Sequence, residues 1–354
     1  MKTFLFAGGG TLGPVTPLLA VAARLRAMHP GARFVWAGTD NGPERDLVES
    51  AGMTFVTVPV AKLPRYLSWQ TVTAPLMYLR ARAAASRLIA QYHPDAVISA
   101  GGFTAVPVVA ASSSRIPCIA HQLDYQVGLS NRMVGRKVAI VTTSFEYPVS
   151  PFGTGVQTRR IPTPVRFVPS DIPSHDEACR SFGFDPSRCV IFAFGGGTGA
   201  HDLNRAIETV RRRLPKDVQL LHLTGPGRGV GSASEQPRYV VEEFLSDRML
   251  AAYAAADIVV CRAGMGALSE LAALSKPAII VPIPNSAQLA NATALKDAVI
   301  VVEQGSRWER RLENAIIDLL NDREARMHLG ESLHEKLPTD DGRTMANIVM
   351  EYVR

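Results

Sequence analysis

Apolar runs of a few residues alternate with stretches of helical period along the whole chain. KTFLFA, ARFVWAG, MTFVTVPV, DAVISA, PCIAH and AIVTTS come first, and CVIFAFG, VQLLHLTG, YVVEEFL, DIVVCR and PAIIVPI follow from Cys189 onward. Short, nearly continuous apolar runs mark strands buried on both faces. Strands that take turns with helices build parallel sheets covered by helices on either side. The pattern predicts a doubly wound α/β chain.

The rhythm breaks in PVSPFGTGVQTRRIPTPVRFVPSDIPS, where prolines recur between Pro148 and Pro173 and no helical period survives. Both sides of this break open alike: strand, three glycines, a threonine, a further glycine, helix. The first copy is FLFAGGGTLGPVTPLLAVAARL and the second VIFAFGGGTGAHDLNRAIETV. Two related Rossmann-like domains are expected, over residues 1–160 and 161–335, with a C-terminal helix in 336–354 packing back on the first. A length of 354 residues agrees, since one hydrophobic core serves at most about 250–300.

Composition narrows the class. Apolar residues make up 47 % and charged residues 20 %, so both halves can bury a core and disorder is excluded. The four cysteines form no CxxC pair, which points to reduced thiols and a cytoplasmic setting. The start lacks the apolar stretch of a secretory signal, and no run reaches the ~18 apolar residues of a membrane span. A soluble or peripheral protein is expected. The net charge of +6 is spread along the chain without interleaved aromatics, which argues against nucleic acid. A phosphate-rich small substrate or an anionic membrane face accounts for it as well.

The chemistry-bearing segments lie at strand-to-helix turns. Gly8, Gly9, Gly10, Thr11 and Gly13 precede a helix expected to begin at Thr16 as N-cap and Pro17. Backbone amides there can face a diphosphate, or the glycines can simply serve a tight turn. The dinucleotide fingerprint GxGxxG does not fit cleanly. Gly195 to Ala200 repeats the theme, and ligands of open α/β sheets sit at such carboxyl ends of strands. In DIVVCRAGMGALSELAALSKPAIIVPIPNSAQLAN, the loop Arg262 to Gly266 opens a helix whose N–H groups can hold a phosphate. Glu270 in that helix suits paired ribose hydroxyls, or complements the helix dipole. Asn285, Gln288 and Asn291 form a polar cluster able to bond sugar hydroxyls. Arg166, after the proline-rich stretch, is either solvated or placed to neutralise a pyrophosphate.

At this point the chain resembles the MurG family, transferases that move N-acetylglucosamine from UDP-GlcNAc to lipid I at the inner face of the bacterial membrane. The resemblance covers nearly the whole chain. It rests on GGGTLGPVTPLLAVA, PDAVISAGGFTAVPVVAA, HQLDYQVGLSNR, IPTPVR, GGGTGAHDLN, VEEFL and, most specifically, CRAGMGALSELAAL. It implies the GT-B fold and an inverting transfer that needs no metal and no cofactor. By position it implies a donor site in which Glu270 binds the ribose, Leu245 the uracil, and Gly264, Met265 and Gly266 the diphosphate. Gly196, Gly197, Thr198 and Arg166 complete that site, with Gln288 on the sugar hydroxyls. Gly9, Gly10, Thr11 and Gly13, with Gly101, Gly102 and Phe103, would face the acceptor and its pyrophosphate. The partners implied are UDP-GlcNAc, lipid I and the anionic cytoplasmic membrane surface, and the location is peripheral.

Three departures from the family pattern stand out. Its first loop reads GGTGGH, and the histidine position is here Pro14, which cannot take a proton. Its HEQN becomes His121-Gln122-Leu123-Asp124, and a serine and glutamine of the second loop become Gly197 and Thr198. Asp124 is therefore the expected catalytic base, with His121 the nearby alternative; as a bland reading, Asp124 caps the following helix. Tyr66, Leu67, Trp69, Leu76, Leu79 and Arg80 suit a membrane headgroup zone, or an ordinary helix core face. Three other functions stay open: another lipid-acceptor transferase such as a diacylglycerol glycosyltransferase, a UDP-GlcNAc 2-epimerase, and a silent UDP-sugar-binding protein.

Overall fold

The computed structural model describes the chain except residues 11–12, 41, 43, 61–68, 113–114, 197–199, 229–237, 246–247 and 354, and the side chains of 69–74. The chain divides into two compact units, Met1–Arg166 with Asp340–Arg354, and Phe167–Thr339.

The first unit runs β1 (Thr3–Ala7), α1 (Val15–Met28), β2 (Arg33–Gly38), α2 (Glu44–Ser50), β3 (Thr54–Thr57), α3 (Trp69–Tyr92), β4 (Ala96–Ser99), α4 (Ala105–Ser112), β5 (Cys118–Gln122), α5 (Leu129–Gly135), β6 (Ile140–Thr143), β7 (Thr158–Arg160) and β8 (Thr163–Pro164). Its sheet has the order β3-β2-β1-β4-β5-β6-β7, and the pairings are parallel. Side chains alternate across the strands. Phe4 and Phe6 join Leu18, Trp36, Ile98 and Ile119 in one core layer, while Leu5 and Ala7 join Val35, Ala85, Val97 and Val108 in the other. Each large side chain so buried contributes about 1.5–3 kcal/mol. Helix α1 starts at Val15 with Pro14 in the cap position and no side-chain cap. Thr16, expected as the cap, therefore lies inside the helix, because the fixed φ of Pro14 already fits a helical start.

The second unit runs α6 (His175–Ser181), β9 (Val190–Phe194), α7 (His201–Arg211), β10 (Gln219–Leu223), β11 (Tyr239–Glu242), α8 (Met249–Ala255), β12 (Ile258–Cys261), α9 (Met265–Ala273), β13 (Ala278–Ile280), α10 (Ala287–Ala294), β14 (Ile300–Val301), α11 (Trp308–Asn321) and α12 (Arg323–Lys336). Its parallel sheet is ordered β11-β10-β9-β12-β13-β14. Ile191, Ile207, Ile258, Val260, Leu312 and Ile316 form the core under α7 and α11.

The chain then passes through β15 (Thr339–Asp340), which pairs with β8, to α13 (Arg343–Tyr352). Met345, Ala346, Ile348 and Val349 of α13 enter the α1 side of the first unit's core. Gly342 begins α13 with φ +86°. A Cβ there would lie 2.7 Å from backbone atoms of Ala20 and Val21, so only glycine lets α13 approach α1 this closely. Arg24 pairs with Asp341, and Arg159 with Glu351 at 3.1 Å. Among the described residues no helix is long and apolar enough to cross a membrane.

Candidate active site

In each sheet the strand order reverses beside the first strand of the unit, at β1/β4 and at β9/β12. Loops diverge at such points and leave a crevice at the carboxyl ends of the strands. The glycine turns after β1, β4, β9 and β12 fall there.

In the first unit, Gly8 follows β1 and its carbonyl accepts from Trp36 Nε1 at 2.9 Å. Gly10, Gly101 and Gly102 have φ of +86°, +95° and +89°. A Cβ on Gly102 would stand 2.9 Å from the Gly9 carbonyl oxygen, so the turns after β1 and β4 touch backbone to backbone. Phe103 closes on Gly10, 3.6 Å from where its Cβ would be. Gly13 lies half-buried in the turn before Pro14. Thr11 falls outside the described residues.

Glu44 holds this loop and was not singled out from the sequence. Its carboxylate is fully buried and accepts from Thr39 N–H at 2.8 Å, Thr39 Oγ1 at 2.6 Å and Gly10 N–H at 3.2 Å. Gly10 thus differs from the expectation: its amide faces an internal carboxylate rather than a substrate diphosphate. In the sequence Glu44 looks like an ordinary acid in the first turn of a short helix, and only the polar GTDNGP loop before it hints otherwise.

Asp124 sits half-buried in the turn after β5. Gln122 shapes that turn: its Nε2 donates to the Asp124 carbonyl at 2.6 Å, and its Oε1 accepts from Asn131 Nδ2 at 2.6 Å. The Tyr147 hydroxyl donates to the carbonyls of Asp124 at 3.1 Å and Tyr125 at 2.9 Å. His121 requires a correction. It is fully buried, with Nδ1 2.9 Å from Thr142 Oγ1 and Nε2 3.2 Å from Ser144 Oγ. Burial pushes its pKa down to about 4, against a smaller upward contribution from hydrogen bonding at Thr142. An imidazole with both nitrogens engaged and no exposed surface cannot accept a proton from a substrate hydroxyl, so His121 is a core residue.

In the second unit, Gly196 follows β9 with φ +90° and open space on its Cβ side; Gly197 and Thr198 fall outside the described residues. Helix α9 is capped by Gly264, extended at φ −78°, with no side-chain hydrogen bond to its first amides. A Cβ on Gly264 would meet nothing within 4 Å. The amides of Met265, Gly266 and Ala267 thus form an open, partly positive helix end fit for an anion. One turn in, Glu270 is 8 % exposed and accepts from the Tyr253 hydroxyl at 2.9 Å.

Two buried side chains brace this end. Arg262 Nη1 donates to the Val281 carbonyl at 3.0 Å and to Gln304 Oε1 at 2.8 Å, and burial lowers its pKa against an opposing effect of Asp202. Asn291 Nδ2 donates to the Ala263 carbonyl at 3.1 Å. Asn291, expected to bond a sugar, is instead fully buried beneath the loop. Gln288 is half-buried in α10, its Oε1 accepting from Ile283 N–H at 3.2 Å. Leu245 is buried beyond β11. Arg166, grouped with the donor residues, is exposed and ends the first stretch of the first unit.

Leu76, Leu79 and Arg80 are exposed on α3. Leu129 and Met133 are exposed one turn apart on α5, an apolar pair that the expectation missed. Tyr66 and Leu67, and the side chain of Trp69, fall outside the described residues. No group of three or more His, Cys, Asp or Glu is placed to hold a metal ion among the described residues.

Two doubly wound units, with glycine turns at both switch points and a buried carboxylate behind an open helix end in the second, give the chain the GT-B fold of glycosyltransferases. The glycosyltransferase family 28 N-terminal domain matches residues 4–143 and the family's C-terminal domain matches 190–337. The chain belongs to glycosyltransferase family 28. A relative from Clavibacter sepedonicus, named UDP-N-acetylglucosamine--N-acetylmuramyl-(pentapeptide) pyrophosphoryl-undecaprenol N-acetylglucosamine transferase, is 34 % identical over 100 % of this chain and 97 % of its own length. One of the same name from Lachnoclostridium phytofermentans is 36 % identical over 81 % of this chain and 80 % of its own. In fold, the crystal structure of Acinetobacter baumannii MurG superposes with a TM-score of 0.75 at 23 % identity, over 99 % of this chain and 100 % of that one.

Proposed function

We propose that this protein transfers N-acetylglucosamine from UDP-GlcNAc, with inversion, to the C4 hydroxyl of the muramyl sugar of N-acetylmuramyl-(pentapeptide) pyrophosphoryl-undecaprenol (lipid I), making lipid II for the cell wall. The full-length identity to transferases of that name supports the substrates. The observation that carries the donor side is the uncapped α9 N-terminus with Glu270 behind it.

On this reading the amides of Met265 and Gly266 take the distal phosphate and hold the charge that grows there as the bond from the anomeric carbon to the phosphate oxygen breaks. Glu270 accepts from the ribose hydroxyls, Gln288 bonds the sugar, the Leu245 backbone contacts the uracil, and Arg166 balances the diphosphate. The acceptor lies along the turns of Gly9, Gly13, Gly101, Gly102 and Phe103. Its C4 oxygen forms the new bond to the anomeric carbon and gives its proton to Asp124, and UDP leaves with the electron pair. The leaving group is stabilised by helix amides and cationic side chains, so the reaction runs without a metal or other cofactor.

The protein works at the cytoplasmic face of the membrane as a peripheral enzyme. Leu76, Leu79 and Arg80, joined by Leu129 and Met133, meet the anionic leaflet.

UDP release, followed with and without a lipid I analogue, tests the reading. Release that depends on the analogue is expected; equal release without any acceptor, or with diacylglycerol only, overturns it. Asp124→Asn is expected to lower kcat by about 10²–10⁴, the usual worth of a general base, while UDP affinity holds. Near-normal turnover in that variant removes Asp124 from the mechanism.

A further inference from the structure

A cavity of about 320 Å³ opens in the first unit at the carboxyl ends of β6 and β7. Thr143 and Arg160, opposite each other in register, both line it. Phe145 and Tyr147 supply aromatic walls, and Glu146 and Ser150 complete the rim. The period-2 alternation of β7 selects which arginine enters. Arg160 points into the cavity, whereas Arg159 points to the other face and pairs with Glu351.

Three observations bear on what this cavity takes. First, it stands at the same carboxyl ends of the strands as the Asp124 turn after β5, one and two strands along, which is about 5–10 Å at the usual inter-strand spacing. Its wall is bonded to that turn, since Tyr147 donates to the carbonyls of Asp124 and Tyr125 and stacks on the Tyr125 ring at 5.8 Å. Second, the volume is at the small end of ligand pockets, which run from roughly 300 to 1,000 Å³. It suits one or two peptide side chains and is too small for a sugar nucleotide. Third, the rim carries both signs of charge: Arg160 Nη1 lies 3.6 Å from Glu146 Oε2, with the two side chains 39 % and 82 % exposed. A water-exposed pair of this kind contributes little on its own. A ligand bearing both a carboxylate and an amine or amide N–H can part it at small cost and satisfy both halves.

We infer that this cavity is a subsite for the peptide carried by the acceptor, with Arg160 receiving a peptide carboxylate, Glu146 receiving an N–H or ammonium group, and Tyr147 linking the occupied subsite to the Asp124 turn. The inference rests on the transfer to a muramyl-peptide acceptor proposed above. It assigns peptide recognition to residues outside the sugar and diphosphate contacts.

The test compares two lipid-linked acceptors, one with the pentapeptide and one without it, in the native enzyme and in Arg160→Ala, Glu146→Ala and Arg159→Ala. In the native enzyme the peptide-free acceptor is expected to show a KM on the order of tenfold higher, the worth of one charge-assisted contact. Arg160→Ala and Glu146→Ala should raise KM for the peptide-bearing acceptor towards that value. They should leave KM for the peptide-free acceptor and for UDP-GlcNAc unchanged. Arg159→Ala should behave as native. Equal KM for both acceptors in the native enzyme, or variants that raise both KM values alike, overturns the subsite and leaves the transferase reading intact. Turnover of neither acceptor overturns the transferase reading, and the subsite with it.

Discussion

His121 and His222 are imidazoles that fold neutral. Both are fully buried, and burial pushes both pKa values down to about 4. Between that value and the unfolded value near 6.5, the unfolded chain binds protons that the folded chain does not. Stability therefore falls as pH drops from about 7 towards 4, by roughly 1–2 kcal/mol per histidine at pH 5. Thermal unfolding at pH 7.5 and pH 5 should show the loss, and His121→Gln should make it smaller; an unchanged difference would mean that His121 is not buried neutral. Glu44 contributes through its hydrogen bonds. Glu44→Ala strands the Thr39 and Gly10 donors at about 1–3 kcal/mol for each one left unpaired, so the melting temperature should drop, and KM for the acceptor should rise more than KM for UDP-GlcNAc. Equal rises in both would show a general loss of structure. The roles of these side chains were only half legible in the chain. The HQLD segment marks a site, but which member points outward depends on strand register, and in register His121 falls opposite Thr142. Glu44 was hidden because its partners, Thr39 and Gly10, come from two different turns.

At the scale of elements, α9 lacks a stabilising cap at the end proposed to hold the diphosphate. Its first amides lack a side-chain cap, although Gly264 is extended and has room for a side chain. Gly264→Asp should cap the helix and complement its dipole, raising stability by a few tenths to about 1 kcal/mol. The same carboxylate would stand where the proposed diphosphate sits, and UDP affinity should fall at least about tenfold, the equivalent of about 1.4 kcal/mol. A calorimetric titration with UDP beside a melting curve reads both. Undiminished affinity would exclude the α9 end as the phosphate site. The elements that carry this device were legible because CRAGMGALSELAAL joins a strand to a helix through glycines. β7 was not, since its Thr-Arg-Arg is exposed throughout and has no apolar alternation to mark it. Asn291 was misassigned for a related reason: helical spacing puts it near Gln288, but its amide is taken up inside by the Ala263 carbonyl of the loop before α9.

Across the whole molecule, the repeated strand-glycine-helix opening foretells two sheets with a switch point in each. Where the chain returns to the first sheet is written in fewer residues. The expected divisions fell at residues 160 and 335, and the compact units divide after Arg166 and Thr339. Gly342 is the hinge of that return, held at a φ that favours glycine and pressed against the α1 backbone. Gly342→Val adds a branched side chain where neither the conformation nor the space allows one, at a cost of about 2–5 kcal/mol. The loss falls on the first unit, whose core includes Met345, Ile348 and Val349, while the second unit keeps a core of its own. A melting curve of the variant should therefore show an early transition, and UDP titrated below that transition should bind within about threefold of native, less than 1.4 kcal/mol. Transfer to the acceptor should fall with the first transition as temperature rises. Loss of UDP binding at that same temperature would mean that the second unit depends on α13 for its fold.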